Sequence, residues 1–385
     1  MPRISAALAL GVLLNALPTL AACGAQEHPG GPAPASPQPR PIDAPIRVDT
    51  VVTGLEHPWA LAFLPDGRIL VTERPGRLRI VDQGRLSAPL SGVPTVDARG
   101  QGGLLDVAID PRFAENQLVY LSFSDPGEER GTNSTAVARG RLGAAGLENV
   151  QVIYRQQPKV RSEMHFGSRL VFDRQGRLFV TQGDRYNQRP LVQQLDNDVG
   201  KIIRINADGS IPPDNPFVNR QGARPEIWSY GHRNVQAAAL DPRTGQLWTV
   251  EHGARGGDEL NHPEAGKNYG WPLITYGIDY NGSRIGEGTE RAGMEQPVYY
   301  WDPVIAPSGM VFYTGGAFPQ WRNSAFIGSM QPRALVRLEI NDNRVTKEER
   351  YLGGLRVRDV QQGPDGFLYL VLDEDSAPLL RVRPR

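Results

Sequence analysis

The sequence predicts an all-β chain, a six-bladed β-propeller with four-stranded antiparallel blades. Three observations lead there. One phrase, an apolar triplet followed by a polar turn containing glycine and then a second alternating run, recurs six times. Helical signals are almost absent, because no apolar stripe at a spacing of three and four is sustained. Gly (43) and Pro (33) together form about a fifth of the chain while apolar residues make up 39 %, a composition suited to short strands joined by turns.

The six phrases are "WALAFLPDGRILVTE", "LLDVAIDPRFAENQLVYLSFS", "SRLVFDRQGRLFVTQGD", "QAAALDPRTGQLWTVEHG", "SGMVFYTGGAFPQWRNSAFIGS" and "RDVQQGPDGFLYLVLDE". Their starts lie roughly 45 to 70 residues apart, too far for a solenoid repeat but right for a four-stranded blade with inserted loops. Each hairpin buries a face only by packing on a neighbour, and a ring satisfies all six. "IRVDTVV", Ile46–Val52, has no hairpin of its own. Pairing it with the terminal "LLRVRPR" closes the ring and covers an exposed edge. The runner-up, a pair of β-sandwiches, leaves the sixfold count unexplained.

Before the propeller, assigned to residues 46–385, two segments stand apart. Residues 1–22 carry one arginine near the start, an apolar stretch and small residues before Cys23, the pattern of a secretion signal too short and too punctuated by Pro18 to span a membrane. "LAAC" resembles the bacterial lipobox. Cys23 is the only cysteine, so no internal disulfide competes for it. Export to the periplasm is expected, with Cys23 either a lipid anchor or incidental to an ordinary cleavable signal. Residues 23–45, rich in Pro, Gly and Ala, read as an extended tether.

Charge excludes some partners. The formal net charge is zero, which removes the basic surplus that nucleic acid or an anionic membrane surface requires. Among the cations only Lys159, Lys201, Lys267 and Lys347 are lysine; the rest are arginine, suited to bidentate carboxylate recognition. Phosphate-binding glycine loops, dinucleotide fingerprints, paired-histidine zinc motifs and nucleophile elbows are all missing. Polar residues concentrate in the loops that leave the hairpins, which a propeller gathers at one end of its channel.

Those loops hold the candidate residues. If Leu170–Phe172 and Leu178–Thr181 are hairpin arms, residues whose numbers sum to about 350 face each other. His165 and Asp184 then meet at the hairpin mouth, either as an oriented general base or as a surface ion pair. Gln101 sits in a glycine-rich turn open to a flat ligand. Arg233 and Asn234 precede an apolar strand and suit a carboxylate or oxyanion. In "VEHGARGGDELNHPEAGKNYGWP", the carbonyls near Gly253 and Ala254, with Asp258, Glu259 and the Tyr269 region, offer oxygen ligands to a hard cation. Gln331 and Arg333 lie on a late loop. Arg356 and Arg358, two apart on a strand, share a face; two adjacent guanidiniums repel unless an anion lies by them, so either the channel holds a multiply charged acid or the two are solvated arginines flanking Asp359.

Taken in order, "GQGGLL", "HFGSRLVFD", "TQGDR", "GHRN", "DELN" with "NYGWP", "APSGM" and "RVRDV" with "GPDG" resemble the soluble quinoprotein aldose sugar dehydrogenases, which carry pyrroloquinoline quinone (PQQ) on a six-bladed propeller. The resemblance covers nearly everything from Ile46 onward. It implies His165 as the base for the anomeric hydroxyl of an aldose, with hydride passing to the quinone C5, and Asp184 as its orienting carboxylate. It implies Gln101, Arg233, Asn234, Arg356 and Arg358 in the quinone pocket, Arg233 also near the substrate, with Tyr280 and Arg333 as looser matches. Gly253 and Ala254 correspond to carbonyl ligands of a cofactor-bound calcium, and Glu259 and Tyr269 to a second calcium site. Gln331 departs from the pattern, standing where some members have lysine. Electrons would pass to an external acceptor, a quinone, cytochrome or dye. Two other classes fit the same architecture: a metal-dependent lactonase-type hydrolase, and a non-catalytic propeller that binds glycans or proteins.

Overall fold

The computed structural model describes residues 46–385; the expectations for the signal segment, Cys23 and the tether lie outside them. Six four-stranded antiparallel sheets are present, each built from strands that follow one another in the chain except the last. The innermost strands are Pro58–Phe63, Leu104–Ile109, Leu170–Phe172, Val235–Leu240, Pro307–Phe312 and Val357–Gln362, and they open blades 1 to 6 in that order. Each innermost strand packs on the next, and that of blade 6 returns to that of blade 1, so the sheets form a ring.

The ring closes as the sequence predicts. In blade 6 the strands Val357–Gln362, Leu368–Leu372 and Ala377–Pro384 are completed by Ile46–Leu55 from the other end of the chain, with Ile46 opposite Pro384 and Thr50 opposite Leu380. The blade 3 hairpin also has the expected register, Leu170 opposite Val180 and Phe172 opposite Leu178.

Apolar side chains from adjacent sheets interdigitate between blades. Leu70 and Leu78 of blade 1 meet Val107, Val119 and Leu121 of blade 2 in one cluster, and Trp248 and Val250 of blade 4 meet Met310, Ile327 and Val336 of blade 5 in another. Small residues recur on the inner strands, where the six sheets converge. Ala60, Ala237 and Gly309 are examples, and a Cβ on Gly309 would lie 1.8 Å from Asp359 Oδ1.

One buried arginine occupies the axis. Arg169, just before the blade 3 inner strand, lies 3.2 Å from Asp106 Oδ1 of blade 2 and 3.2 Å from Asp359 Oδ1 of blade 6. Its Nε donates to the Gln236 carbonyl of blade 4 at 2.7 Å, its Nη2 to the Arg358 carbonyl at 3.4 Å, and its guanidinium lies 4.1 Å from the Trp59 ring of blade 1. Burial pushes the Asp106 carboxyl up to about 6, against the attraction of Arg169 and with the repulsion of Asp359. Removing the guanidinium would leave two carboxylates buried without a counter-charge. Arg169→Met is therefore expected to cost about 3–5 kcal/mol, read from urea unfolding. An unchanged midpoint would show that the axis is held by packing alone.

Candidate functional site

In an antiparallel blade, the loop entering the first strand and the loop between the second and third strands lie at the same end. The candidate residues divide between these two loop sets. Gln101, His165, Arg233, Asn234, Ala306 and Arg356 come just before inner strands, while Arg74, Asp184, His252, Met330 and Asp373 follow second strands. One end of the channel thereby receives both sets. It contains a cavity of about 260 Å³ lined by Gln101, Asn234, Arg356 and Arg358, as expected, and by Trp59, Arg74, Gln236, His252, Ala306, Met330 and Asp373.

His165 and Asp184 meet. His165 Nδ1 is 2.6 Å from Asp184 Oδ1 and both side chains are buried. The carboxylate is fixed further by Trp271, whose Nε1 donates to Oδ2 at 2.8 Å, and by the Tyr186 N–H, which donates to Oδ1 at 2.7 Å. Burial raises the cost of charge on Asp184, but the His165 hydrogen bond, Arg233 and the Tyr186 amide outweigh it, so the carboxyl sits below its usual range. His165 is also lowered. Burial disfavours its charged form more than Asp184 restores it, and Arg233 and Arg185 add repulsion. The pair is connected to the cavity through its neighbours: Gln101 Oε1 accepts the His165 N–H at 2.9 Å, and Asn234 Oδ1 accepts the Gly167 N–H at 3.1 Å. Arg233 reaches Tyr280, with 3.4 Å between Nη2 and the phenol oxygen, while its own amide donates to Glu251 at 2.6 Å.

Arg356 and Arg358 do lie side by side, and the anion between them belongs to the chain itself. Asp373 Oδ2 accepts from Arg356 Nε and Arg358 Nη2, each at 3.0 Å. This corrects the argument that the pair alone demands an acidic ligand. The demand comes instead from the whole cavity: three guanidiniums, Arg74, Arg356 and Arg358, face the single carboxylate of Asp373. Arg74 Nε and Arg358 Nε are buried without hydrogen-bond partners. A surplus of two positive charges with unsatisfied donors fits a polycarboxylate.

The glycine-rich loop at Gly253–Gly257 is tightly folded. A Cβ on Gly253 would lie 2.2 Å from the Gly256 carbonyl oxygen, and Ala254 pairs with Gly256. Asp258, read from the sequence as an oxygen ligand, accepts three backbone N–H groups instead, from Gly253, Ile305 and Ala306 at 2.7–2.8 Å. Burial, partly offset by these bonds, pushes its carboxyl up to about 6. Glu259 is held well above the usual range by burial and then by Glu251, and the neighbouring Asn261 Oδ1 is buried without a partner. Two repelling carboxyls and an orphaned oxygen fit a hard cation. Tyr269 stacks on His232 at 4.9 Å and donates its hydroxyl to the His262 carbonyl at 2.6 Å. Among the described residues no group of three or more His, Cys, Asp and Glu is arranged as a metal cluster.

Gln331 and Arg333 do not line the cavity. They are exposed on the turn directly after Met330, which does. Sequence reasoning missed Trp59, Arg74, Gln236, His252, Met330 and Asp373. A signal for most of them existed, since Arg74, His252, Met330 and Asp373 each follow the second run of a repeated phrase, as Asp184 does.

Asp373 is held down to about 2; burial opposes its charge, and Arg358 and Arg356 overcome that penalty. With the folded value below 3.8, the unfolded chain binds the proton first, so this stabilisation is complete above 3.8 and declines as pH falls towards about 2. Asp373→Asn should lower apo-protein stability by roughly 1–2 kcal/mol at pH 7. Urea titrations at several pH values should show the gap to the parent narrowing below pH 3.8. A gap independent of pH would refute the counter-ion role.

Comparison with known proteins adds to this geometry. The family model described as "Glucose / Sorbosone dehydrogenase" matches residues 55–381. An aldose sugar dehydrogenase from Escherichia coli (strain K12) is 49 % identical over 350 residues, covering 89 % of this chain and 94 % of that protein. A crystal structure of a glucose dehydrogenase is 54 % identical with a TM-score of 0.85, covering 87 % of this chain and 99 % of the other. The PQQ-bound aldose sugar dehydrogenase of Streptomyces coelicolor superposes with a TM-score of 0.73 at 28 % identity, covering 89 % of this chain and all of its own.

Proposed function

The chain belongs to the glucose/sorbosone dehydrogenase family, and from that premise we propose that it oxidises the anomeric hydroxyl of aldose sugars to lactones with PQQ and calcium. It is an oxidoreductase, and its relatives act on sugars. The observation that carries the finer reading is the buried His165–Asp184 pair, 2.6 Å apart, beside a cavity with a surplus of positive charge.

The chain's own residues have distinct tasks. Asp184 accepts the Nδ1–H of His165, which leaves the Nε2 lone pair to take the proton of the anomeric hydroxyl. Because burial holds the His165 pKa below its ordinary value of 6.5, the ring is neutral at pH 7 and ready to act as base. Asp184 stays ionised and stabilises the imidazolium that forms. Arg233, buried beside the pair, orients the substrate oxygen. Arg74, Arg356 and Arg358 would hold the PQQ carboxylates, with Gln101, Asn234, Gln236 and His252 as polar contacts; the Gly253 and Ala254 carbonyls would hold the cofactor-bound calcium, and Glu259 and Tyr269 the second. When bound, PQQ supplies a two-electron acceptor at its quinone C5 and calcium a Lewis acid at the quinone carbonyl. Reoxidation would use an external quinone, cytochrome or dye.

The lactonase reading is weaker on its own terms. It needs channel carboxylates as metal ligands, and the cavity's Asp373 is already bound by two guanidiniums. We further propose export and attachment through Cys23, supported by the apolar N-terminal segment and "LAAC".

Aldose-dependent dye reduction after adding PQQ and calcium tests the activity. His165→Ala should still bind PQQ, seen by absorbance titration, while turnover drops at least about a hundredfold. Wild-type turnover in that variant would remove the base assignment. In the parent, kcat/KM should fall on an acid limb below pH 6.5, the ordinary histidine value. Arg358→Ala should weaken PQQ reconstitution; normal affinity would refute the guanidinium clamp.

A further inference from the structure

Five large apolar side chains stand exposed among the described residues, and four of them, Met164, Tyr186, Ile278 and Tyr280, lie next in sequence to His165 and Asp184 or on the loop that reaches Arg233. Isolated apolar residues on a surface are ordinary; a gathering at one mouth is not. Met164 directly precedes His165. Tyr186 follows Asp184 by two residues, and Ile278 and Tyr280 lie on the loop that reaches Arg233. The two loops are tied together. Arg189 Nη1 meets Asp279 Oδ2 at 2.9 Å, and the guanidiniums of Arg189 and Arg233 each lie 5.2 Å from the ring of Trp271, which holds Asp184.

Tyr186 is the member closest to the chemistry. Its ring meets the His165 imidazole in a T-shaped contact, centroids 5.3 Å apart and planes at 79°, yet the residue is 42 % exposed. The backbone holds it there under strain. Arg185 (φ 54°) and Tyr186 (φ 65°) are consecutive non-glycine residues in the left-handed region, fixed by the Tyr186 amide bond to Asp184. A strained loop that presents an exposed aromatic ring against a buried base has no packing rationale of its own.

We propose that Tyr186 is a specificity-determining platform on which the pyranose ring of the substrate stacks. The proposal rests on the sugar-oxidation reading and extends it. A pyranose has a flat face of C–H bonds bordered by hydroxyls. An aromatic ring covers the C–H face at little entropic cost and leaves the hydroxyls free to hydrogen-bond. Because the two rings touch, a sugar whose anomeric hydroxyl reaches His165 Nε2 lies within reach of Tyr186. Tyr280, 57 % exposed and bonded to Arg233, flanks the same opening.

The test separates sugar binding from turnover. Tyr186→Phe keeps the ring; Tyr186→Asn and Tyr186→Gly remove it with residues that tolerate positive φ. Protein loaded with PQQ and calcium is assayed with glucose and a dye, and 1-deoxyglucose, which lacks the reacting hydroxyl, is titrated by intrinsic fluorescence. The ring-deleting variants should raise the glucose KM and the 1-deoxyglucose Kd by about tenfold while kcat changes less than about threefold, and Tyr186→Phe should match the parent. Unchanged KM and Kd in both deletions would overturn the platform. A loss confined to kcat would also overturn it and assign Tyr186 to holding His165. If the parent oxidises no aldose, the sugar-oxidation reading itself falls, a result distinct from either of these.

Discussion

A single guanidinium on the axis ties the propeller together. Arg169 belongs to blade 3, yet its partners are a carboxylate from blade 2, a carboxylate and a carbonyl from blade 6, a carbonyl from blade 4 and an indole from blade 1. Blade 5 joins through Gly309, whose lack of a side chain lets Asp359 approach. Apolar packing between sheets is non-directional and tolerates small rotations of one blade against the next. The hydrogen bonds and ion pairs of Arg169 have fixed directions and limit those rotations where the strands come closest.

That arrangement also divides the channel electrically. Around Arg169 two carboxylates face one guanidinium, and a second cavity of about 260 Å³, lined partly by Asp106 and Arg169, opens at the far ends of the inner strands. In the cavity at the near end three guanidiniums face one carboxylate. The far cavity is lined by one carboxylate and one guanidinium, whereas the near one carries a positive surplus although the whole chain has a formal net charge of zero. The near end alone attracts an acidic group, so bulk charge says little about what the channel accepts. The carbonyls that Arg169 grips belong to Gln236 and Arg358, both lining the positive cavity. The axis and the floor of the site are one construction.

Periodicity made the fold legible. Alternation and turn residues are local, and six copies of one phrase leave few topologies that bury every face. The His165–Asp184 contact was equally accessible, since hairpin register is arithmetic once the turn is located. Contacts between blades were not. Asp373 lies in a loop of a type the sequence treats as an ordinary turn, and only the folded blade brings it between Arg356 and Arg358. Asp258 looked like a cation ligand because it is acidic and follows glycines, but the same glycine-rich turn exposes amides that need acceptors. Gln331 and Arg333 came from the family resemblance, and the folded chain leaves both exposed on the turn after Met330, a placement that local pattern does not encode.

Blade 6 takes its outer strand from Ile46–Leu55 and its other strands from the last part of the chain. The seam is thus the most distant pairing in the molecule, and closing such a loop carries an entropic penalty that grows only slowly with length. Its effect is one of timing. Five sheets can assemble as their residues become available, whereas the circle stays broken until the carboxyl-terminal strand arrives. The last strand, Ala377–Pro384, is thus both the end of the chain and the clasp of the circle.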